Sequence, residues 1–159
     1  MRRARALAAV ALGVLAGCGF HLQGSHALPR ALASVRIETT DSQTDFCHDL
    51  REALRVAGTR LDEGADAAAT IRILADGASQ KVLTVSTLNI PTAYTLSYHV
   101  RVAVESAGRE LMAPEEHTLT REYRFDETTL LAMDREREVL ERALADDLVA
   151  LLMRRFAAL

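Results

Sequence analysis

The chain has 159 residues, with 22 Asp and Glu against 19 Lys and Arg and a formal net charge of −3. This acidic balance argues against a nucleic-acid binder, which carries a basic patch, and against general electrostatic adhesion to anionic lipid. No run beyond the first 17 residues holds 18 consecutive apolar positions, so none reads as a membrane-spanning segment.

The N-terminus reads as a lipoprotein signal peptide, residues 1–17. Arg2, Arg3 and Arg5 form the basic region, and Ala6 to Ala16 is an apolar core of 11 residues, too short for ~30 Å of hydrocarbon. Leu15-Ala16-Gly17-Cys18 ends it with small residues before a nucleophilic thiol. Cleavage there leaves Cys18 to carry a thioether-linked diacylglycerol and a further acyl chain on its amine; each buried CH₂ is worth about 0.8 kcal/mol, so several chains give lasting attachment. Gly19, rather than an Asp, follows the cysteine; by resemblance to Gram-negative lipoproteins this addresses the protein to the outer membrane. Removal of the leader leaves about 140 residues, enough for one domain with its own core and too few for two.

Residues 18–33 read as the acylated cysteine and an extended lead-in. His21 and His26 lack the companion ligands of a metal site. Residues 34–159 read as a single domain. Ser34 to Thr39 alternates as a strand, with Val35 and Ile37 on one face. Ser42 offers a cap, with an acid three residues on, to a helix over 43–57. Phe46, Leu50 and Leu54 recur there at helical spacing, and Gly58 suits the left-handed end. Cys47, odd once Cys18 is acylated, reads as a small buried hydrophobe, with a disulfide to a partner as the alternative. Residues 61–68 read as a loop. Ala69 to Ala75 is a strand, Asp76-Gly77 a hairpin turn signal, and Ser79 to Leu88 the next strand.

The cleanest alternation follows: Tyr94, Leu96, Tyr98, Val100, Val102 and Val104 on one face, hydroxyls, His99 and Arg101 on the other. Ala107-Gly108-Arg109 turns the chain. Pro114 breaks the chain, and after it His117 to Phe125 is a final strand, with Arg121 on its apolar side and in need of a partner, for which Asp147 is placed. Leu130, Leu131 and Met133 form a first short turn. Asp134 caps a long helix whose stripe runs through Leu140, Leu144, Leu148 and Leu152 to Phe156. The expected fold is therefore α+β: a two-layer sandwich of about four mostly antiparallel strands against two helices.

No catalytic, dinucleotide or phosphate-loop motif occurs. Cys47 and His48 are sequence neighbours, about 100° apart on a helix and badly placed as nucleophile and base. The reading is therefore a non-enzyme with no catalytic residue, no metal and no cofactor beyond the lipid on Cys18.

Cys18-Gly19-Phe20-His21-Leu22 with Gly24, Leu28-Pro29, the Tyr94, Leu96, Tyr98 and Val100 alternation, Arg121, Tyr123, Phe125 and Asp126, Leu131-Ala132 and the final Arg154-Arg155-Phe156 together resemble the LptE family of lipopolysaccharide-assembly lipoproteins. The resemblance implies an outer-membrane lipoprotein that plugs the LptD β-barrel, assists its assembly and enables lipopolysaccharide insertion. It also implies a lipopolysaccharide contact through Arg142, whose local alternative is an ion pair with Glu138. The family's second basic position falls near Thr87, where this chain has none. The competing functional reading is a stand-alone lipid-binding or carrier lipoprotein.

Overall fold

The computed structural model describes residues 28–64, 66–125 and 130–159. The signal peptide, Cys18 and most of the lead-in lie outside them. Leu28 packs on the core, a 3-10 turn over Arg30–Leu32 follows, and Leu32 is fully buried. β1 (Ser34–Thr39), α1 (Asp45–Val56), β2 (Arg60–Leu61), β3 (Ala69–Val85), β4 (Pro91–Ser106), β5 (Arg109–Arg124) and α2 (Leu130–Ala157) complete the chain.

The strands form one mixed sheet in the order β2-β1-β3-β4-β5. β1 runs parallel to both β2 and β3, whereas β3-β4 and β4-β5 are antiparallel. The expected two-layer α+β sandwich with two helices is what forms, with five strands among the described residues instead of four. The extra one, β2, is two residues long and lies where a loop was expected: Arg60 N donates to Ala33 O at 3.0 Å and Asp62 N to Val35 O at 2.9 Å.

One hydrophobic cluster joins sheet and helices. Val35, Ile71, Leu96, Val100 and Val104 line the sheet side, and Phe46, Leu50, Leu54, Leu144, Leu148, Leu152 and Phe156 the helix side, all essentially unexposed. Each such side chain contributes about 1.5–3 kcal/mol of transfer free energy.

α1 starts two residues later than the sequence suggests. Thr44, not Ser42, is the cap, its hydroxyl accepting from Cys47 N at 3.2 Å. At the far end Gly58 takes φ 86°, with Gly58 N donating to Arg55 O and Thr59 N to Leu54 O, both at 2.9 Å. This double bond pattern closes helices whose next residue tolerates the left-handed region.

Three expected breaks are absent. Asp76-Gly77 lies inside β3, which runs unbroken for 17 residues. There the Asp76 carboxylate accepts from the Tyr98 hydroxyl at 2.7 Å and from the Thr44 hydroxyl, and these tertiary bonds override the local turn preference. β5 begins at Arg109 and passes through Pro114, because a register shift opposite Val102 and Val104 accommodates that residue on an outermost strand. α2 runs through Asp134, so this residue is interior and not a cap. The turn between β4 and β5 is as expected: Ala107 (φ 50°) and Gly108 (φ 73°) form a two-residue hairpin loop of the type whose twist suits flanking strands. Among the described residues no helix is long and apolar enough to cross a membrane.

Candidate interaction surface

The sheet has two unlike ends. At one, the chain enters β1 beside the start of β3 and the β4-β5 turn: Val35 lies opposite Ala69, Ala69 opposite Ser106, and Ser106 opposite Arg109. At the other, β3 and β4 run on as a hairpin. β1 accompanies β3 only as far as Ile73, and β5 ends at Arg124 opposite Ala93. The hairpin tip, residues 86–90, is closed by Ser86 N donating to Ile90 O at 2.7 Å and by the Ser86 hydroxyl, which accepts from the amides of Leu88 and Ile90.

Val82, Leu83, Val85 and Leu88 are exposed along this hairpin, Leu88 by 79%, and no charged residue occurs from Val82 to Ala93. Apolar side chains grouped in this way mark an interaction site more than chance exposure does. At its root Tyr94 stacks on Tyr123 (5.8 Å) and meets Phe125 edge-on (5.3 Å), and the Tyr123 hydroxyl donates to Gln80 at 2.9 Å. The aromatic residues that carry the family resemblance therefore brace the hairpin.

The sheet face turned away from the helices is polar, as the alternation predicts. Ser97 lies opposite Thr120, His99 opposite Thr118 and Arg101 opposite Glu116, while Arg72 pairs with Glu105 and Arg36 with Glu38.

Cys18 lies outside the described residues, as do His21 and His26. Arg142 is on α2, with its side chain 69% exposed. Its ion-pair partner is Asp45 of α1 at 3.5 Å, not Glu138; the helix pair of that spacing forms instead between Arg137 and Glu141 at 2.7 Å. Asp45, Glu138 and Glu141 line the same cleft as Arg142, so this guanidinium stands among carboxylates. Nearby, burial and then the neighbouring Asp49 carboxylate raise the Asp146 carboxyl above its ordinary value. Thr87 lies in the hairpin tip. Cys47 is free and fully buried, and burial pushes its thiol pKa up, while the side chain of His48 is 81% exposed. The two share no site. Among the described residues no group of three or more His, Cys, Asp or Glu is arranged to hold a metal.

Sequence reasoning missed the exposed hairpin. Its signal was present: twelve residues without a charge in an otherwise charge-rich chain. How far the neighbouring strands extend is a non-local property, and that decides whether such a run is covered.

The chain is 26% identical over 151 residues to an LPS-assembly lipoprotein LptE of Yersinia enterocolitica, covering 94% of this chain and 72% of that one. Its fold is similar to the solution NMR structure of an uncharacterized lipoprotein B from Nitrosomonas europaea (TM-score 0.73, 25% identity, 88% and 91% of the two chains). It is also similar to the crystal structure of the rare lipoprotein B from Shewanella oneidensis (TM-score 0.69, 24% identity, 79% and 94%). The LptE lipopolysaccharide-assembly family matches residues 32–156, most of the chain and both layers of the fold, so this protein belongs to that family.

Proposed function

We propose that this chain is an outer-membrane lipoprotein, acylated at Cys18, that occupies the lumen of an LptD-type β-barrel, assists its assembly and so enables lipopolysaccharide to reach the outer leaflet. The observation that carries the reading is the pairing of a polar sheet face, bare of helix among the described residues, with an uncharged apolar hairpin at the end remote from Leu28. The polar face suits an aqueous lumen of the kind that large barrels enclose and often plug. The hairpin suits contact with something less wet. A tether at Cys18, ten residues before Leu28 in the sequence, raises the effective concentration of the domain at the periplasmic mouth. The role is non-catalytic and needs no cofactor beyond the acyl chains. The side chains filling the space between sheet and helices support a plug over a stand-alone lipid carrier, which needs an enclosed apolar cavity.

Co-purification in mild detergent tests this. A large outer-membrane barrel is expected to accompany the native lipoprotein. The double substitution Leu83→Glu and Leu88→Glu is expected to lose the barrel while keeping the thermal midpoint. Isolation of the native protein without any barrel overturns the proposal. Lipopolysaccharide contact at Arg142 is the finer part: Arg142→Glu is expected to weaken lipopolysaccharide capture, and unchanged capture removes Arg142 from the role.

A further inference from the structure

A cleft of about 440 Å³ opens at the β1 edge of the sheet beside α1, floored by Ile37 and Leu61. It is one side of a strand left half-covered. β2 pairs with Ser34 and Val35 and goes no further. The odd residues of β1 turn their backbone groups toward β2, since Ala33 O and Val35 O accept from Arg60 N and Asp62 N. By strand alternation the N–H and C=O of Ile37 point the same way, where among the described residues no strand follows.

Three guanidinium groups surround this edge: Arg51 and Arg55 from α1, and Arg36 from β1 itself. The two from α1 are weakly engaged, while Arg36 also donates to the Thr70 hydroxyl at 3.4 Å. Among the described residues Arg51 has only a 3.5 Å bond to Ser42 O and no ion pair, and Arg55 lies 3.7 Å from Glu52. Arg36 reaches Glu38 at 3.1 Å, yet its Nε is shut off from solvent with no acceptor. The cleft's own acids sit at its β2 end, where the Asp62 carboxylate is already used by Gly64 N at 2.9 Å.

We infer that residues 37–39 accept an extended, carboxylate-bearing segment of a partner polypeptide as an added strand. Its backbone pairs with Ile37, its alternate side chains meet Arg51 and Arg55 on the helix side, and Arg36 lies on the other. Edge addition draws affinity from main-chain bonds and specificity from alternate side chains. Both are offered here, with an apolar floor between them. A small inorganic anion would use the guanidinium groups and leave Ile37 and the floor idle. The inference stands apart from the barrel reading, because it needs only a free edge and its flanking charges.

The test uses the full-length acylated lipoprotein in detergent micelles and a fluorescent seven-residue peptide alternating glutamate and valine, followed by anisotropy. The peptide is expected to bind and to slow amide exchange at Ile37. The Arg51→Ala, Arg55→Ala double variant is expected to weaken it by about tenfold or more, as for loss of a charge-assisted bond. A lysine-valine peptide and a backbone N-methylated glutamate-valine peptide are expected to fail. No binding of the glutamate peptide, undiminished binding by the double variant or full retention by the N-methylated peptide overturns the assignment.

Discussion

Arg121 Nη2 donates to Asp147 Oδ2 at 2.8 Å and ties the last strand to the long helix. The pair answers a question posed by the alternation of β5, which puts an arginine on the side that carries Leu119 and Tyr123. Both side chains are about half exposed (47% and 53%), so solvent screens the attraction. A double-mutant cycle with Arg121→Ala and Asp147→Ala is expected to give a coupling of about 0.2–1 kcal/mol that shrinks in high salt. A coupling of several kcal/mol would show that the contact is drier than its exposure indicates.

Asp76 is the centre of a second tertiary link, receiving the hydroxyls of Tyr98 and Thr44 while Thr44 caps α1. Burial first, and then the Asp76 carboxylate, push the Tyr98 phenol well above the usual tyrosine range. A raised acid stays protonated in the folded state while the unfolded one ionises. Stability is therefore retained below about pH 10 and lost as pH climbs past it. The thermal midpoint is expected to hold up to about pH 10 and to fall as pH is raised further, and Tyr98→Phe to flatten that fall. Asp76→Ala strands two hydroxyls and is expected to cost about 1–3 kcal/mol in denaturant unfolding.

Ala107 holds φ 50° in the β4-β5 turn, a conformation that costs a Cβ-bearing residue roughly 1–2 kcal/mol. Ala107→Gly is expected to recover about 0.5–1 kcal/mol, and Ala107→Asn a similar amount, because the first position of this turn favours both. Gly108→Ala, at φ 73°, moves the other way. Urea midpoints of the three variants at constant slope check the order.

Asp146 has its carboxyl raised by burial and by Asp49 across the helix pair. Its contribution to stability is fully present only well below the ordinary Asp value, at about pH 3 or lower, where it is protonated in both states, and is lost as pH rises through its folded value. Asp146→Asn is accordingly expected to raise the thermal midpoint at pH 7 and to leave it unchanged near pH 2.5. An equal gain at both values would assign the effect to packing.

The parts of the fold set by local periodicity were readable from the sequence. Phe46, Leu50 and Leu54 announced α1, the Tyr94 to Val104 alternation announced β4, and Gly58 and Ala107-Gly108 marked real ends. The misreadings share one cause. Asp76, Pro114 and Asp134 are residues with strong local habits, and each was overruled by its surroundings: two distant hydroxyls, an outermost strand position, and a helix that has already begun at Leu130. The interaction surface was legible only in part for the same reason. An uncharged, β-branched stretch around Val82 and Val85 reads equally as a buried strand or a bare one, and the ends of β1 and β5 decide between them. Likewise Arg51 and Arg55 read as the wet side of a helix until the stop of β2 after Leu61 opens the edge beneath them.

The 17 residues of β3 span about 55 Å at the usual rise, and the chain enters at one extreme while Leu88 marks the other. Such a hairpin acts as a ruler. Because successive side chains alternate, its extent can change only in even increments if the same residues are to stay on the polar face. Deleting two residues from each strand beyond Gln80 withdraws the tip by about 7 Å with parity intact, whereas deleting one inverts the outer segment. The reach of this hairpin can thus be adjusted in steps of two without disturbing the core beneath.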